Sequence, residues 1–97
     1  MAVRLSPEAE ANLDEIWHFV AKQSGSIEIA QRLIETIDDQ FLLLTKHPLT
    51  GRRRDDLRPG LRSISVGQYV IIYRMDGDDP LILHVLHGHR DIRSMIQ

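Results

Sequence analysis

Residues 62–91 read RSISVGQYVIIYRMDGDDPLILHVLHGHRD, and this stretch decides the fold of the chain. Residues 69–73 and 81–86 are dense in aromatic, β-branched and leucine side chains, which are typical of strands. The DGDDP segment between them is a turn signal, so the two runs predict an antiparallel hairpin. Residues 63–66 alternate polar and apolar side chains and are followed by a Gly-Gln pair, which indicates a third strand. The stretch therefore predicts a three-stranded meander.

Two amphipathic helices are predicted before the meander. Residues 2–5 favour a short strand, after which Ser6 is suited to cap a helix that begins with a proline. Apolar side chains then recur at helical spacing over residues 7–23, and again over residues 26–46. Pro48 disfavours helical geometry at the residue before it, so the second helix is expected to end there.

The order of these elements predicts a β-α-α-β-β-β chain of the α+β class. We expect two antiparallel helices to pack on one face of a small antiparallel sheet. The central strand, residues 69–73, is apolar on both faces, so its second face needs a cover, either the terminal segment or a partner. Residues 48–60 are expected to form a charged loop, and residues 92–96 a short final helix. The size of the chain predicts a single domain spanning residues 1–97.

Charge is divided unevenly along the chain. The net charge is -2, yet residues 51–97 hold eight arginines and no lysine. Arginine suits bidentate contacts with carboxylates and phosphates, so this half is the expected contact surface for an acidic partner. The chain has no cysteine and no apolar run of membrane-spanning length, and its first residues do not resemble a signal peptide. These features predict a cytoplasmic protein without a membrane partner.

Metal and cofactor chemistry find little support in the sequence. His84, His87 and His89 form a histidine cluster, but strand alternation would place the first two on opposite faces, and no nearby acid completes a site. No Gly-rich phosphate loop follows a strand, so nucleotide binding is not indicated either. We therefore expect neither a metal nor a cofactor.

Two roles remain for the basic meander, namely RNA cleavage and protein binding. Cleavage needs a base, an acid and cations that stabilise the phosphorane. The candidate residues for that chemistry are Arg62, Arg74, His87 and Arg90. In the alternative, Arg62 and Arg74 form ion pairs with Asp55, Asp56 or Asp91, and the arginine surface docks another protein. Aromatic residues are few, so a platform for base stacking is not expected.

Five fragments of the chain resemble ParE-type toxins of the RelE/ParE toxin–antitoxin superfamily. They are LDEIW at 13–17, HPLTGR at 47–52, RPGLRS at 58–63, YVIIYR at 69–74 and VLHGHRDI at 85–92. The fragments occur in the order and spacing of that family and together cover nearly the whole chain. The family fold, with one strand, two helices and three strands, agrees with the order predicted from the residues.

The resemblance implies a toxin of a type II toxin–antitoxin system. Its expected partner is a ParD-like antitoxin, a ribbon-helix-helix dimer whose flexible C-terminal arm folds on binding to the toxin. DNA contact is expected only indirectly, through that antitoxin. ParE-like toxins are understood to act on DNA gyrase without being enzymes, whereas RelE-like relatives cut mRNA on the ribosome. An inactive interaction partner is a third alternative.

The residues favour gyrase inhibition over the ribonuclease alternative. Ribonuclease relatives carry lysines, arginines or a carboxylate on the active face and a tyrosine or histidine near the C-terminus. In this chain no lysine follows Lys46 and no tyrosine follows Tyr73. We therefore predict no catalytic residues and a set of partner-binding residues. That set is Trp17, Arg52, Arg53, Arg58, Arg62, Tyr73, Arg74 and Arg90.

Overall fold

The computed structural model describes residues 3–96. Its elements are β1 (Arg4–Leu5), α1 (Pro7–Ser24), α2 (Ile27–Lys46), β2 (Arg52–Arg53), β3 (Arg62–Val66), β4 (Tyr69–Asp76), β5 (Asp79–His87) and α3 (Ile92–Ile96). The predicted α+β class, helix pair, meander and short final helix are confirmed. Ala2, which belongs to the predicted first strand, lies outside the described residues. None of the helices within residues 3–96 combines the length and the apolarity needed to cross a membrane.

The sheet has five strands in the order β1-β5-β4-β3-β2 and is mixed rather than wholly antiparallel. β1 runs parallel to β5, with Arg4 opposite Leu81, and the helix hairpin with β2, β3 and β4 supplies the long connection that a parallel pair needs. β2 lies inside the segment predicted as a loop and pairs with β3, with Arg52 opposite Ser63. The prediction of an antiparallel sheet was therefore wrong only at the β1 edge, and the antiparallel strand β2 was not predicted.

Local capping signals define both long helices. Ser6 accepts a hydrogen bond from the Ala9 amide through its hydroxyl, at 3.0 Å, and Gly25 ends α1 in the left-handed region with φ 68°. The Ser26 hydroxyl accepts from the Ile29 amide at 3.2 Å and begins α2. Only Gly25 and Ser26 connect the end of α1 to the start of α2, so the helices form a tight antiparallel hairpin.

The main core lies between this hairpin and one face of the sheet. Its buried helix residues are Ala9, Ile16, Ile37, Phe41 and Leu44, and its buried sheet residues are Val66, Tyr69, Ile71, Tyr73, Ile82 and Val85. The alternating residues of β4 that face the helices are thus Tyr69, Ile71 and Tyr73, as strand periodicity requires.

The opposite face of the sheet is covered by the chain itself. Ile72 of β4 is fully buried in a second cluster with Leu57, Leu61 and Ile96. Leu57 and Leu61 belong to the segment between β2 and β3, and Ile96 belongs to α3. Of the two covers expected for this face, the terminal segment is therefore confirmed, and the charged loop joins it.

Ser6 joins the first helix to the sheet, which gives a test of this packing. Its hydroxyl also donates to the Leu83 carbonyl at 2.8 Å, so Ser6→Ala removes a cap and leaves a β5 carbonyl unpaired. We expect a loss of about 1–3 kcal/mol in the free energy of unfolding, measured by urea denaturation. Ser26→Ala removes a cap alone and is expected to cost about 1 kcal/mol. A smaller loss for Ser6→Ala than for Ser26→Ala would contradict the role of Ser6 as a link.

Candidate partner-binding surfaces

The Tyr73 hydroxyl fixes the turn that follows α2. It accepts a hydrogen bond from the Gly51 amide at 2.9 Å and donates to the Pro48 carbonyl at 2.7 Å. Arg62 supports the same turn, since its guanidinium donates to the carbonyls of Gly51 at 2.8 Å and Leu49 at 3.3 Å. Burial raises the pKa of Tyr73, so the phenol stays protonated and able to donate at neutral pH. We call this arrangement the Tyr73 latch.

The latch corrects two predictions made from the sequence. Tyr73 was expected to bind a partner, but it is 0% exposed, because its face of β4 looks into the main core. A Cβ atom added to Gly51 would stand 2.5 Å from the Tyr73 hydroxyl oxygen, so only glycine allows this close approach. Arg62 was expected to pair with an aspartate, yet its guanidinium is bonded to the turn carbonyls of the latch, while its contact with a partner stays a prediction.

The latch predicts that the two tyrosines of β4 differ in how much their hydroxyl groups stabilise the fold. Tyr73→Phe leaves the buried Gly51 amide and the Pro48 carbonyl without their partner, so we expect a loss of about 1–3 kcal/mol in the free energy of unfolding. Tyr69 faces the same core without an equivalent bond among residues 3–96, so Tyr69→Phe is the matched control and should change stability by less than about 1 kcal/mol. Chemical denaturation measures both, and equal losses would rule the latch out.

The arginines also differ from the predicted ion pairs. Asp56 accepts hydrogen bonds from Nε and Nη2 of Arg54, both at 3.1 Å, and a further hydrogen bond from Arg93 at 3.3 Å. Hydrogen bonding from Arg54, the largest effect, lowers the pKa of Asp56 to about 2, so this carboxylate is charged at neutral pH. Arg74 donates to the Met75 carbonyl at 3.4 Å rather than to an aspartate. The predicted pairing of Arg62 and Arg74 with aspartates was therefore wrong.

An apolar groove of about 500 Å³ lies between α1 and the end of β5. We call it the α1–β5 groove, and its lining residues are Asn12, Glu15, Ile16, Phe19, Tyr69, Val85, Leu86, His87, His89 and Arg90. Phe19 stands at its border with 58% of its surface exposed. An exposed aromatic side chain beside an apolar groove is typical of a protein-binding site.

The strand that borders this groove has an open edge. β1 covers β5 only at Leu81 and Ile82, and the Asn12 side chain then accepts from the Val85 amide at 3.0 Å. The Gly88 amide bonds to the Gln68 carbonyl, so alternation turns the backbone groups of Val85 and His87 away from β4. The Val85 amide is bonded to Asn12 and the His87 carbonyl to the Arg90 amide, which leaves the Val85 carbonyl and the His87 amide for a partner. Within residues 3–96 no strand continues the pairing beyond Ile82 on this edge. The groove thus offers both an apolar floor and unpaired backbone groups.

A second, polar groove of about 620 Å³ lies on the opposite face of the sheet. Its floor includes Ser63 and Ser65 of β3, and its walls carry four arginines, which are Arg52, Arg54, Arg90 and Arg93. We call it the arginine groove. Arg54 and Arg93 are bonded to Asp56, whereas no carboxylate of residues 3–96 forms an ion pair with Arg52 or Arg90.

The four residues considered for RNA cleavage do not share one site. Arg62 belongs to the latch and Arg74 is exposed on β4, while His87 and Arg90 both line the α1–β5 groove. His84 lies opposite Ile72 and His87 opposite Tyr69, which places the two histidines on different faces as predicted. No group of three metal-binding side chains occurs within residues 3–96.

The remaining predicted partner residues are spread over the surface. Arg52, Arg53 and Arg58 are exposed, and Arg53 forms an ion pair with Asp55 at 2.8 Å. Trp17 is half-buried, with the edge of its ring against His18. These residues do not form one patch, and their role in binding stays a prediction.

Phe19 and Asn12 were missed from the sequence. Phe19 lies off the apolar stripe of α1, and a large aromatic side chain outside such a stripe is the signal that marks it. Asn12 gave no signal, because its importance comes from a contact with Val85, 73 residues away.

Comparison with known proteins identifies the family. The family model described as ParE toxin of type II toxin-antitoxin system, parDE, matches residues 3–92. Toxin ParE3 of Caulobacter vibrioides is 33% identical over 94 residues, which cover 97% of this chain and 92% of that protein. Toxin ParE1 of Mycobacterium tuberculosis is 32% identical over 89 residues, with 91% and 90% covered. The chain therefore belongs to the ParE toxin family of type II toxin–antitoxin systems, which confirms the resemblance found in the sequence.

Solved structures support the fold. The chromosomal ParDE system of P. aeruginosa contains a chain with a TM-score of 0.78 and 24% identity, covering 90% of this chain and 95% of that chain. The RelBE2 toxin–antitoxin complex of Mycobacterium tuberculosis contains one with a TM-score of 0.57, also 24% identical, over 89% and 95%. The arrangement of two helices on a mixed sheet is thus shared with both.

Proposed function

We propose that this toxin inhibits DNA gyrase in the cytoplasm by binding rather than by catalysis, and that a ParD-like antitoxin neutralises it. The observation that carries the non-enzymatic part is the engagement of Arg62. Its guanidinium is bonded to the carbonyls of Leu49 and Gly51, so it is not available to stabilise a phosphorane beside His87. The ParE family membership supports gyrase as the target over the ribosome.

The α1–β5 groove supports binding of an antitoxin arm. A disordered arm that folds on binding needs apolar surface to offset its loss of conformational entropy. The groove supplies that surface through Ile16 and Phe19 of α1 and Tyr69 of β4. The Val85 carbonyl and the His87 amide add hydrogen-bonding positions along an open strand edge. Two of the similar structures are toxin–antitoxin systems, which agrees with such a partner.

Expression of the toxin alone separates the candidate activities. We expect growth arrest with early DNA breaks and intact transcripts, because a gyrase held in its cleaved state damages DNA before it affects mRNA. DNA breaks and mRNA cleavage are measured in parallel after induction, and co-expression with the antitoxin is the control that should restore growth. Codon-dependent mRNA cuts without DNA breaks would establish the ribonuclease alternative. No effect on growth would identify an inactive interaction partner.

Two exposed apolar residues test the antitoxin site. Phe19 and Ile27 are 58% and 66% exposed, but only Phe19 lines the α1–β5 groove. Phe19→Ser should weaken antitoxin binding at least about tenfold, because truncated aromatic contacts at an interface often cost more than 1 kcal/mol. Ile27→Ser is the matched control and should leave the affinity unchanged. Calorimetric titration with the antitoxin encoded beside the toxin measures both, and equal effects would place the arm elsewhere.

A further inference from the structure

We propose that the arginine groove binds the phosphodiester backbone of DNA directly, without reading its sequence. The inference rests on the proposed function, in which the toxin acts on a gyrase–DNA complex and so lies close to DNA. It departs from the expectation that DNA is contacted only through the antitoxin. Recognition of a specific operator by the antitoxin is a separate property, because backbone contacts carry no sequence information.

Strand pairing places the basic and hydroxyl groups of the groove on one face. Arg52 lies opposite Ser63, and Ser63 lies opposite Ile72, so all three point away from the helices. Ser65 is two residues along β3 and shares that face. Arg90 closes the groove from the segment that follows β5. The result is a concave surface with guanidinium groups on its walls and hydroxyl groups on its floor.

The charges of the groove leave two guanidinium groups available. Asp56 accepts hydrogen bonds from Arg54 and Arg93, so its single negative charge is shared between these two arginines. Arg52 and Arg90 are exposed and form no ion pair with a carboxylate of residues 3–96. The carboxylate that lines the groove, Asp91, accepts bonds from the amide and hydroxyl of Ser94. Four guanidinium groups therefore line the groove with one carboxylate, Asp91, while Asp56 contacts two of them from outside the lining, and the local excess is positive although the whole chain is negative.

The groove fits the phosphate backbone of a nucleic acid better than its bases. No aromatic side chain lines it, so bases would have nothing to stack on and contact is limited to the backbone. The guanidinium group of arginine and the hydroxyl groups of serine and threonine commonly donate hydrogen bonds to phosphate oxygens. The groove of about 620 Å³ is lined by both kinds of donor, through its four arginines and the hydroxyls of Thr50, Ser63 and Ser65.

The groove is built to hold DNA rather than to cut it. His87 faces the α1–β5 groove on the helix side of the sheet and does not line the arginine groove. Arg62 is bonded to the carbonyls of the latch. A bound phosphodiester would therefore meet cations and hydroxyls, but no histidine general base.

β2 supplies a matched pair of variants for the test. Arg52 and Arg53 are neighbours with the same charge, but alternation turns only Arg52 into the arginine groove. Binding is measured by the fluorescence anisotropy of a labelled DNA duplex of about 20 base pairs, with the purified full chain, between about 50 and 200 mM salt. Arg52→Glu and Arg90→Glu should each weaken binding about tenfold and lower the slope of log K against log salt by about one. Arg53→Glu should leave the affinity within about twofold of wild type.

Three results would overturn the proposal that the arginine groove binds DNA. Absence of binding by the folded wild-type chain at the lowest salt removes the site, and an equal loss in Arg53→Glu reduces it to general surface charge. Tighter binding of an RNA duplex of the same length, or equal binding of polyglutamate, assigns the groove to RNA or to an acidic protein.

A parallel assay of DNA cleavage by purified gyrase separates this inference from the proposed function. Gyrase inhibition without DNA binding overturns the groove alone, whereas DNA binding without gyrase inhibition overturns the proposed target alone.

Discussion

The structure depends on the burial of β4 from both sides. Ile72 and Tyr73 are adjacent, fully buried and directed to opposite faces of the sheet. A two-layer arrangement of helices and sheet covers only one of these faces, so the chain needs a second cover. The segment between β2 and β3 provides it together with α3, through Leu57, Leu61 and Ile96. This second layer is what makes the outer face of the sheet concave, and the arginine groove lies in that concavity.

The Tyr73 latch connects the central strand β4 to the edge strand β2. By holding Gly51 against the phenol ring, it delivers the next two residues beside β3, where they form β2. A two-residue strand has little stability of its own, so its position depends on the latch and on Arg62. The consequence is chemical, because alternation in β2 sends Arg52 to the outer face and Arg53 to the helix side. One hydrogen-bonded tyrosine thereby decides which arginine enters the groove.

Local features could be predicted from the sequence, and features that depend on distant contacts could not. Ser6, Pro7 and Ser26 act within one turn of their helices, and the two tight turns of the meander are equally local, so these elements were predicted closely. β2 depends on a bond between residues 22 apart, and the parallel pairing of β1 with β5 joins residues more than 70 apart. Arg62 and Tyr73 were taken for surface residues for the same reason, because their bonds to the 48–51 turn leave no trace in local pattern. The α1–β5 groove could not be predicted either, since Asn12 and Phe19 are brought to β5 by the packing of α1.

The two grooves lie on opposite faces of the sheet, and Arg90 lines both of them. This residue belongs to the short segment after β5 that passes the end of the sheet, so its side chain is reachable from either face. A partner in the α1–β5 groove that engaged Arg90 would withdraw one of the two uncompensated guanidinium groups from the arginine groove. The proposed antitoxin could then weaken a DNA contact without covering the outer face, because removing one cation from a phosphate site lowers its affinity and its salt dependence together. Neutralisation would act through a shared side chain, and complete overlap of the two binding surfaces would not be needed.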